Sequence, residues 1–173
     1  MRFGITRNAE KGPFSPIITH DGWELSWWWF WENGAPVKGR TVFNAKLENL
    51  TRGLWRVPFD TRRVLIPVDH YFESANAPGV KGRYRFFLPG KPRFAIAGIS
   101  ALIDGGPVPS CFAMVTRAPT EAAGRIHDRM PLSLPERFHD TWLDPDVRGD
   151  DALRAAALAA SEEIVDRLVY EAC

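Results

Sequence analysis

A chain of 173 residues, 45% hydrophobic and 25% charged, can bury one ordinary core, so a single domain over residues 1–173 is expected. No apolar run reaches membrane-spanning length and no basic-then-apolar leader opens the chain, which points to a cytoplasmic protein with no membrane role. Two cysteines, Cys111 and Cys173, with no metal-type partners nearby argue against a disulfide framework or a zinc site, and nothing calls for a cofactor.

In chain order, a hairpin is expected over Ile17 to Leu25, which carries Trp23, followed by Trp27-Trp28-Trp29-Phe30-Trp31. Consecutive indoles on a strand cannot all face one core, so some of these rings should face outward or line a groove, the rest packing in the core. Thr41-Val42 leads into Phe43-Asn44-Ala45-Lys46-Leu47-Glu48, a strand end on which Asn44, Lys46 and Glu48 share one face. Arg63 to Val68 reads as a buried strand that runs through Tyr71-Phe72 to stop on Glu73. Gly79 to Pro89 and Phe94 to Ser100 are predicted strands joined at Pro89-Gly90-Lys91-Pro92, and Ala113 to Thr116 is another. Cys111, just before it, is expected to be a small buried strand residue. A short helix or loop from Pro119 leads to His127, a helix over Pro135 to Leu143 stops at Asp144-Pro145, and Asp150 or Asp151 caps a last helix through Ala160. That helix is alanine-rich with little amphipathic contrast, which places it at the periphery. The elements describe an α+β domain around a curved, mostly antiparallel sheet or open barrel.

Ile126-His127-Asp128-Arg129-Met130-Pro131 concentrates chemistry on one loop. Histidine can give or take a proton near neutrality, and arginine offers a forked donor for phosphate. Glu73, where a strand meets a loop, is a candidate carboxylate partner. The net charge of +1 conceals a split, since residues 1–93 carry 15 Lys or Arg against 8 Asp or Glu while residues 94–173 carry 7 against 13. Such a split suggests one positive face suited to a phosphate backbone, although solvated loops produce the same numbers, and aromatic rings beside Lys38, Arg40 and Lys46 match the stacking that single-stranded DNA requires.

Asn-Ala-Lys-Leu-Glu, Tyr-Phe-Glu, Phe-Ala-Ile-Ala-Gly-Ile, Phe-Ala-Met-Val-Thr and Ile-His-Asp-Arg-Met-Pro, in that order, resemble the SOS-response-associated peptidase (SRAP) family over roughly residues 14 to 145. The resemblance implies a protein that recognises abasic sites in single-stranded DNA and captures the sugar aldehyde covalently. It also implies a site formed by Asn44, Glu73 and His127, and a Trp-rich loop at the DNA matching Trp27, Trp28 and Trp29. Arg2, Lys38, Arg40, Lys46 and Arg129 are the basic residues assigned to the DNA. In the family a cysteine directly after the initiator methionine supplies amine and thiol, and the product is a thiazolidine.

This sequence begins Met1-Arg2-Phe3-Gly4 instead. Arg2 is bulky enough to keep Met1 in place, and the α-amine of Met1, with an ordinary pKa of about 8, becomes the candidate nucleophile for a Schiff base and weak lyase chemistry. Three alternatives stay open: a monomeric binding module for abasic or single-stranded DNA, a longer natural chain carrying the cysteine, and a Trp-rich interaction domain with no nucleic-acid role.

Overall fold

The computed structural model describes residues 14–32, 35–36, 42–105 and 108–173. Its strands are β1 Phe14–Thr19, β2 Gly22–Trp27, β3 Trp31–Glu32, β4 Ala35–Pro36, β5 Asn44–Lys46, β6 Arg63–Val68, β7 His70–Ser74, β8 Arg83–Phe87, β9 Phe94–Leu102, β10 Ser110–Arg117, β11 Met130–Pro131, β12 Ser133–Leu134 and β13 Val169–Ala172. The helices are α1 Arg56–Thr61, α2 Glu121–Gly124, α3 His139–Leu143 and α4 Asp151–Val165.

The expected first hairpin is β1–β2, in the register Ile17↔Glu24. Its turn closes because Thr19 Oγ1 accepts from the Asp21 amide at 3.1 Å and donates to the Gly22 carbonyl at 3.1 Å, while Gly22 takes φ 118°, open to glycine alone at low cost. β1 then pairs with β6, β6 with β9, and β9 with β10, all antiparallel. All six residues of β6 are buried: Arg63, and then the apolar run Val64 to Val68 that a strand with neighbours on both sides requires. The sheet curls until β10 meets β2, in parallel, through the single pair Cys111↔Trp27. One pair is not a ladder, so the result is a strongly curved sheet and not a closed barrel. Curling needs close approach at Gly98, where a Cβ would lie 2.9 Å from Val64 Cγ2 and 3.2 Å from the Ala113 carbonyl.

The chain changes sheet at Asp69, and β7 pairs with β8 and β8 with β13 in a separate three-stranded sheet. The strands expected on either side of Pro89-Gly90 are therefore sequential without being paired, β8 lying in the small sheet and β9 in the large one.

The core is sealed at the α1/α3 corner by Trp142, fully buried, whose indole N–H donates to the Val64 carbonyl at 3.0 Å. Truncating such a ring costs about 3–5 kcal/mol. The last helix departs from expectation: α4 flanks the sheet but is firmly docked, and it runs on to Val165. Leu153, Ala157, Ala160, Ser161, Ile164 and Val165 are buried along one stripe. Alanine lowers the apolar contrast between the helix faces, yet it lets the helix axis approach the sheet closely, so burial follows from size more than from hydrophobicity. Asp150 caps the helix as expected, accepting from the Ala152 and Leu153 amides at 2.9 and 3.0 Å.

Candidate functional site

On β7 the two-residue alternation turns Tyr71 and Glu73 to the inner face of the small sheet and Phe72 and Ser74 to the outer. Tyr71 lies flat on Phe86, with centroids 4.9 Å apart and planes 3° from parallel, which fixes the strand and brings Glu73 out at its end half-buried. Facing it is the loop that leaves α2, a single turn capped by Thr120 Oγ1 accepting from the Ala123 amide at 3.3 Å.

The loop is stitched to the segment after β7. The Asn76 and Ala77 amides donate to the Ile126 carbonyl at 2.9 and 3.2 Å. The Asn76 side chain then grips Asp128 twice, Nδ2 donating to Oδ1 at 2.7 Å and Oδ1 accepting from the Asp128 amide at 3.0 Å. His127, held between two pinned residues, points its Nε2 at Glu73 Oε2 over 3.8 Å. Its Nδ1 lies 3.1 Å from the Arg129 amide, a donor, and 3.0 Å from the Arg129 carbonyl, an acceptor, so the neutral ring finds a partner with its proton on either nitrogen. In the charged ring the same Nδ1 can donate to the Arg129 carbonyl at 3.0 Å, or to Asp128 Oδ1 at 3.3 Å. Both protonation states have partners, the property a proton carrier needs.

Burial pushes the Glu73 carboxyl above the ordinary glutamate value; the His127 charge opposes the shift and Asp128 adds to it. Asp128 moves the other way, held down chiefly by the Asn76 hydrogen bond. The Tyr71 phenol is driven upward by burial and then by the neighbouring Glu73 charge. A carboxyl inclined to keep its proton, 3.8 Å from an imidazole, gives a pair that can deliver a proton to one substrate atom and withdraw one from its neighbour.

The second wall is β5 and the 3₁₀ turn after it. Asn44, Lys46 and Glu48 are exposed while Ala45 and Leu47 are buried, the shared face the sequence suggested. β5 runs parallel to β10 in the register Asn44↔Met114 and Lys46↔Thr116. Arg129 ties this rim to the His127 loop: its fork meets both Glu48 oxygens at 2.8 and 3.0 Å, and Nη2 also donates to the Thr116 carbonyl at 2.7 Å. Burial works upward on the Glu48 carboxyl, but the Arg129 hydrogen bond and charge, with help from Lys46, outweigh it and hold the group below its ordinary value.

His127 and Glu73 therefore meet directly, while Asn44 and Lys46 line the exposed edge that Glu48 and Arg129 fasten to the same loop. Trp27, Trp28 and Trp29 are each partly buried. Trp27 packs edge-on against Phe14, Trp29 and Trp31, and Trp28 donates its indole N–H to the Phe43 carbonyl at 3.0 Å. Met1, Arg2, Lys38 and Arg40 lie outside the described residues. Sequence reading missed Asn76, because its contact to Asp128 spans 52 positions and its own surroundings, Ser74-Ala75-Asn76-Ala77-Pro78-Gly79, read only as a turn. The cavity behind the loop, lined by Phe86, Ala123, Met130 and Val165 among others, takes in neither Glu73 nor His127, so the pair works at a rim. Among the described residues no cluster of His, Cys, Asp and Glu could hold a metal ion, and no helix is long and apolar enough to cross a membrane.

Residues 16–170 match the model of the SOS response associated peptidase family. The chain belongs to this family. It is 31% identical over 122 residues to the abasic site processing protein YoqW of Bacillus subtilis strain 168, a stretch covering 68% of this chain and 54% of YoqW. With the abasic site processing protein YobE of the same organism it shares 30% identity over 125 residues, 69% of this chain and 57% of YobE. The chain thus spans about half the length of the curated relatives it matches. Among solved structures, a protein from Bacteroides thetaiotaomicron superposes with a TM-score of 0.77 at 23% identity, over 96% of this chain and 76% of that one. A phage-related protein from Bordetella bronchiseptica gives 0.67 at 23% identity, over 91% and 76%. These two likenesses show that the α+β fold is shared with solved structures, while the family rests on the match over residues 16–170.

Proposed function

We propose that this SRAP member recognises abasic sites in single-stranded DNA and acts on the sugar through Glu73 and His127. The observation that carries the reading is the 3.8 Å contact between His127 Nε2 and Glu73 Oε2, with the carboxyl pushed upward by burial. An abasic deoxyribose is a hemiacetal. Opening it requires a proton delivered to the ring oxygen and another withdrawn from the anomeric hydroxyl, so a protonated acid and a neutral base acting together leave the net charge unchanged and release the aldehyde. With the neutral ring's proton on Nδ1, toward the Arg129 carbonyl, Nε2 is free to accept: protonated Glu73 is the donor to the ring oxygen, His127 Nε2 takes the anomeric proton, and its return from Nε2 to Glu73 resets the pair. Asn44 is the neutral hydrogen-bonding group that orients the sugar, and Lys46 and Arg129 supply charge for the flanking phosphates. The names of the curated relatives, abasic site processing proteins, support this substrate class.

Covalent capture by a primary amine is the further step of this reading: attack on the aldehyde gives a Schiff base and expels water. Incubating the protein with single-stranded DNA bearing one abasic site, with and without borohydride, and resolving the products on denaturing gels tests it. A borohydride-dependent adduct supports amine capture, and an adduct stable without borohydride supports a second trapping group. DNA binding with no adduct leaves recognition without capture. Absence of binding to abasic single strands overturns the proposal.

A further inference from the structure

The strand that carries Glu73 has a second face. On β7 and β8 the residues turned away from Glu73 are His70, Phe72 and Ser74 opposite Phe87, Arg85 and Arg83 in the antiparallel register, so aromatic and basic side chains interleave across one open surface. Phe72 is 40% exposed, high for a phenyl ring on a sheet. The Arg83 guanidinium lies over it at 4.2 Å from the ring centre, and Arg85 lies over Phe87 at 4.6 Å. His70 meets Phe72 edge-on at 4.9 Å. The carboxylates on this face are Glu171 of β13, bound to Arg85 at 2.9 Å, and Asp69, bound to His70 at 2.8 Å. Among the described residues no carboxylate engages Arg83.

Exposed rings on a sheet with arginines stacked on them form the pattern that holds unpaired bases, each base replacing or extending a cation–π stack while the guanidinium turns to phosphate. The position argues in the same direction. β7 is the edge strand of its sheet, and Phe72 adjoins Glu73 in the chain but faces the other way. A strand is about 5 Å across, so a nucleic acid held at Glu73 reaches this face by rounding one edge.

We propose that the outer face of β7 and β8, centred on Phe72 and Arg83, is a second binding surface that stacks the bases flanking the lesion as single-stranded DNA leaves the Glu73 site. The inference rests on the abasic-site reading above. It makes recognition two-part: chemistry on the inner face of β7 and sequence-independent grip on the outer. In the free protein Arg83 and Arg85 stack on Phe72 and Phe87, and incoming bases take or extend those stacks.

Two oligonucleotides separate the surfaces, each with a central non-reactive abasic analogue: one of about five nucleotides, which fills only the Glu73 site, and one of about twenty, which reaches both. Affinities are measured by fluorescence anisotropy for wild type, Phe72→Ala, Arg83→Ala and Phe72→Trp, with circular dichroism to check the fold. The alanine variants should bind the long oligonucleotide about fivefold or more weakly and the short one unchanged, while Phe72→Trp retains wild-type affinity. The salt dependence of the long oligonucleotide should fall by about 0.7 in log–log slope for Arg83→Ala. Equal affinities of wild type and Phe72→Ala for the long oligonucleotide, or equal losses on both lengths, would overturn the second surface and leave the Glu73 site standing. A wild-type protein that binds neither length overturns the abasic-site reading and this inference with it.

Discussion

Two arginines in this protein make comparable numbers of hydrogen bonds and do opposite things. Arg63, buried at the start of β6, donates to the carbonyls of Trp142 and Phe59 at 2.6 Å, of Asp60 at 3.1 Å, of Val147 at 2.8 Å and of Asp144. Every acceptor is backbone, so the guanidinium is a fixed bolt between α1, α3 and the turn after it. Burial depresses its pKa, while the charges of Asp60 and Asp144 oppose that shift. Arg129, at the rim, divides its fork between one backbone carbonyl and the carboxylate of Glu48, which is half exposed. Backbone acceptors cannot leave; a surface carboxylate can. The comparison separates a cation spent on the fold from one whose surface partner is exchangeable, as the proposed phosphate contact requires.

The largest effect should come from breaking the first arrangement. Arg63→Met strands several carbonyls without donors in a closed corner and should cost about 3 kcal/mol or more of stability, read as a fall in the denaturant midpoint. Any molecules that remain folded should retain DNA binding, since the rim is untouched. Next come the groups at the rim itself. Glu73→Gln and His127→Ala should each slow sugar capture about 10²- to 10⁴-fold on the borohydride gel. Their stabilities should diverge with pH. A carboxyl whose folded pKa lies above its unfolded one contributes stability that is fully present below the unfolded value and lost as pH rises through the folded value. Glu73→Gln removes that loss, so at neutral pH it should melt higher than wild type, and the difference should vanish below about pH 4. A melting temperature lowered at neutral pH would contradict the half-buried carboxyl with a raised pKa described for Glu73.

The same contrast explains what the sequence revealed. Local alternation is written in adjacent residues, and it located β6 from its apolar run, the β1–β2 hairpin, the face shared by Asn44, Lys46 and Glu48, and the cap at Asp150. The family motifs carried Glu73 and His127 to one place. What adjacent residues do not encode is which distant segments meet. The parallel pairing of β10 with β5 and β2, the grip of Asn76 on Asp128 and the bond from Arg129 to Glu48 all join positions tens of residues apart. The Trp run was ambiguous for a related reason. Aromatic rings can satisfy one another, and Trp27 does so edge to face with Trp29 and Trp31, a packing that composition cannot distinguish from a platform for bases.

Asn76 offers a test of intermediate size, because it touches the loop and not the substrate. Asn76→Ala removes both side-chain bonds to Asp128 while leaving the backbone bonds to Ile126. His127 would then sample orientations away from Glu73, and capture should slow about 10- to 100-fold with little change in DNA affinity, the signature of a positioning residue. Asn76→Asp should not rescue it, since a carboxylate facing Asp128 repels where the amide donates. An Asn76→Ala protein with wild-type capture would mean that the backbone bonds alone aim the histidine.

The smallest expected effect sharpens the comparison most, because it asks whether the Arg129 fork really is releasable. Glu48 occupies the geometry a phosphate would take, two oxygens against two nitrogens, so it acts as an internal competitor for the cation. Glu48→Gln keeps the shape and removes the charge. Single-stranded DNA should then bind a few-fold more tightly, and the affinity should fall more steeply with salt, by about 0.7 in log–log slope if one further phosphate contact is gained. The pair should also be insensitive to ordinary acidification. Glu48 is held below its usual pKa, so its contribution is present above the unfolded value and lost only as pH falls through the depressed one. Wild-type and Glu48→Gln affinities should therefore keep a constant ratio between about pH 5 and 8. If the substitution instead weakens binding, then Glu48 is holding Arg129 in its working pose, and the rim arginine is a fixed bolt like Arg63.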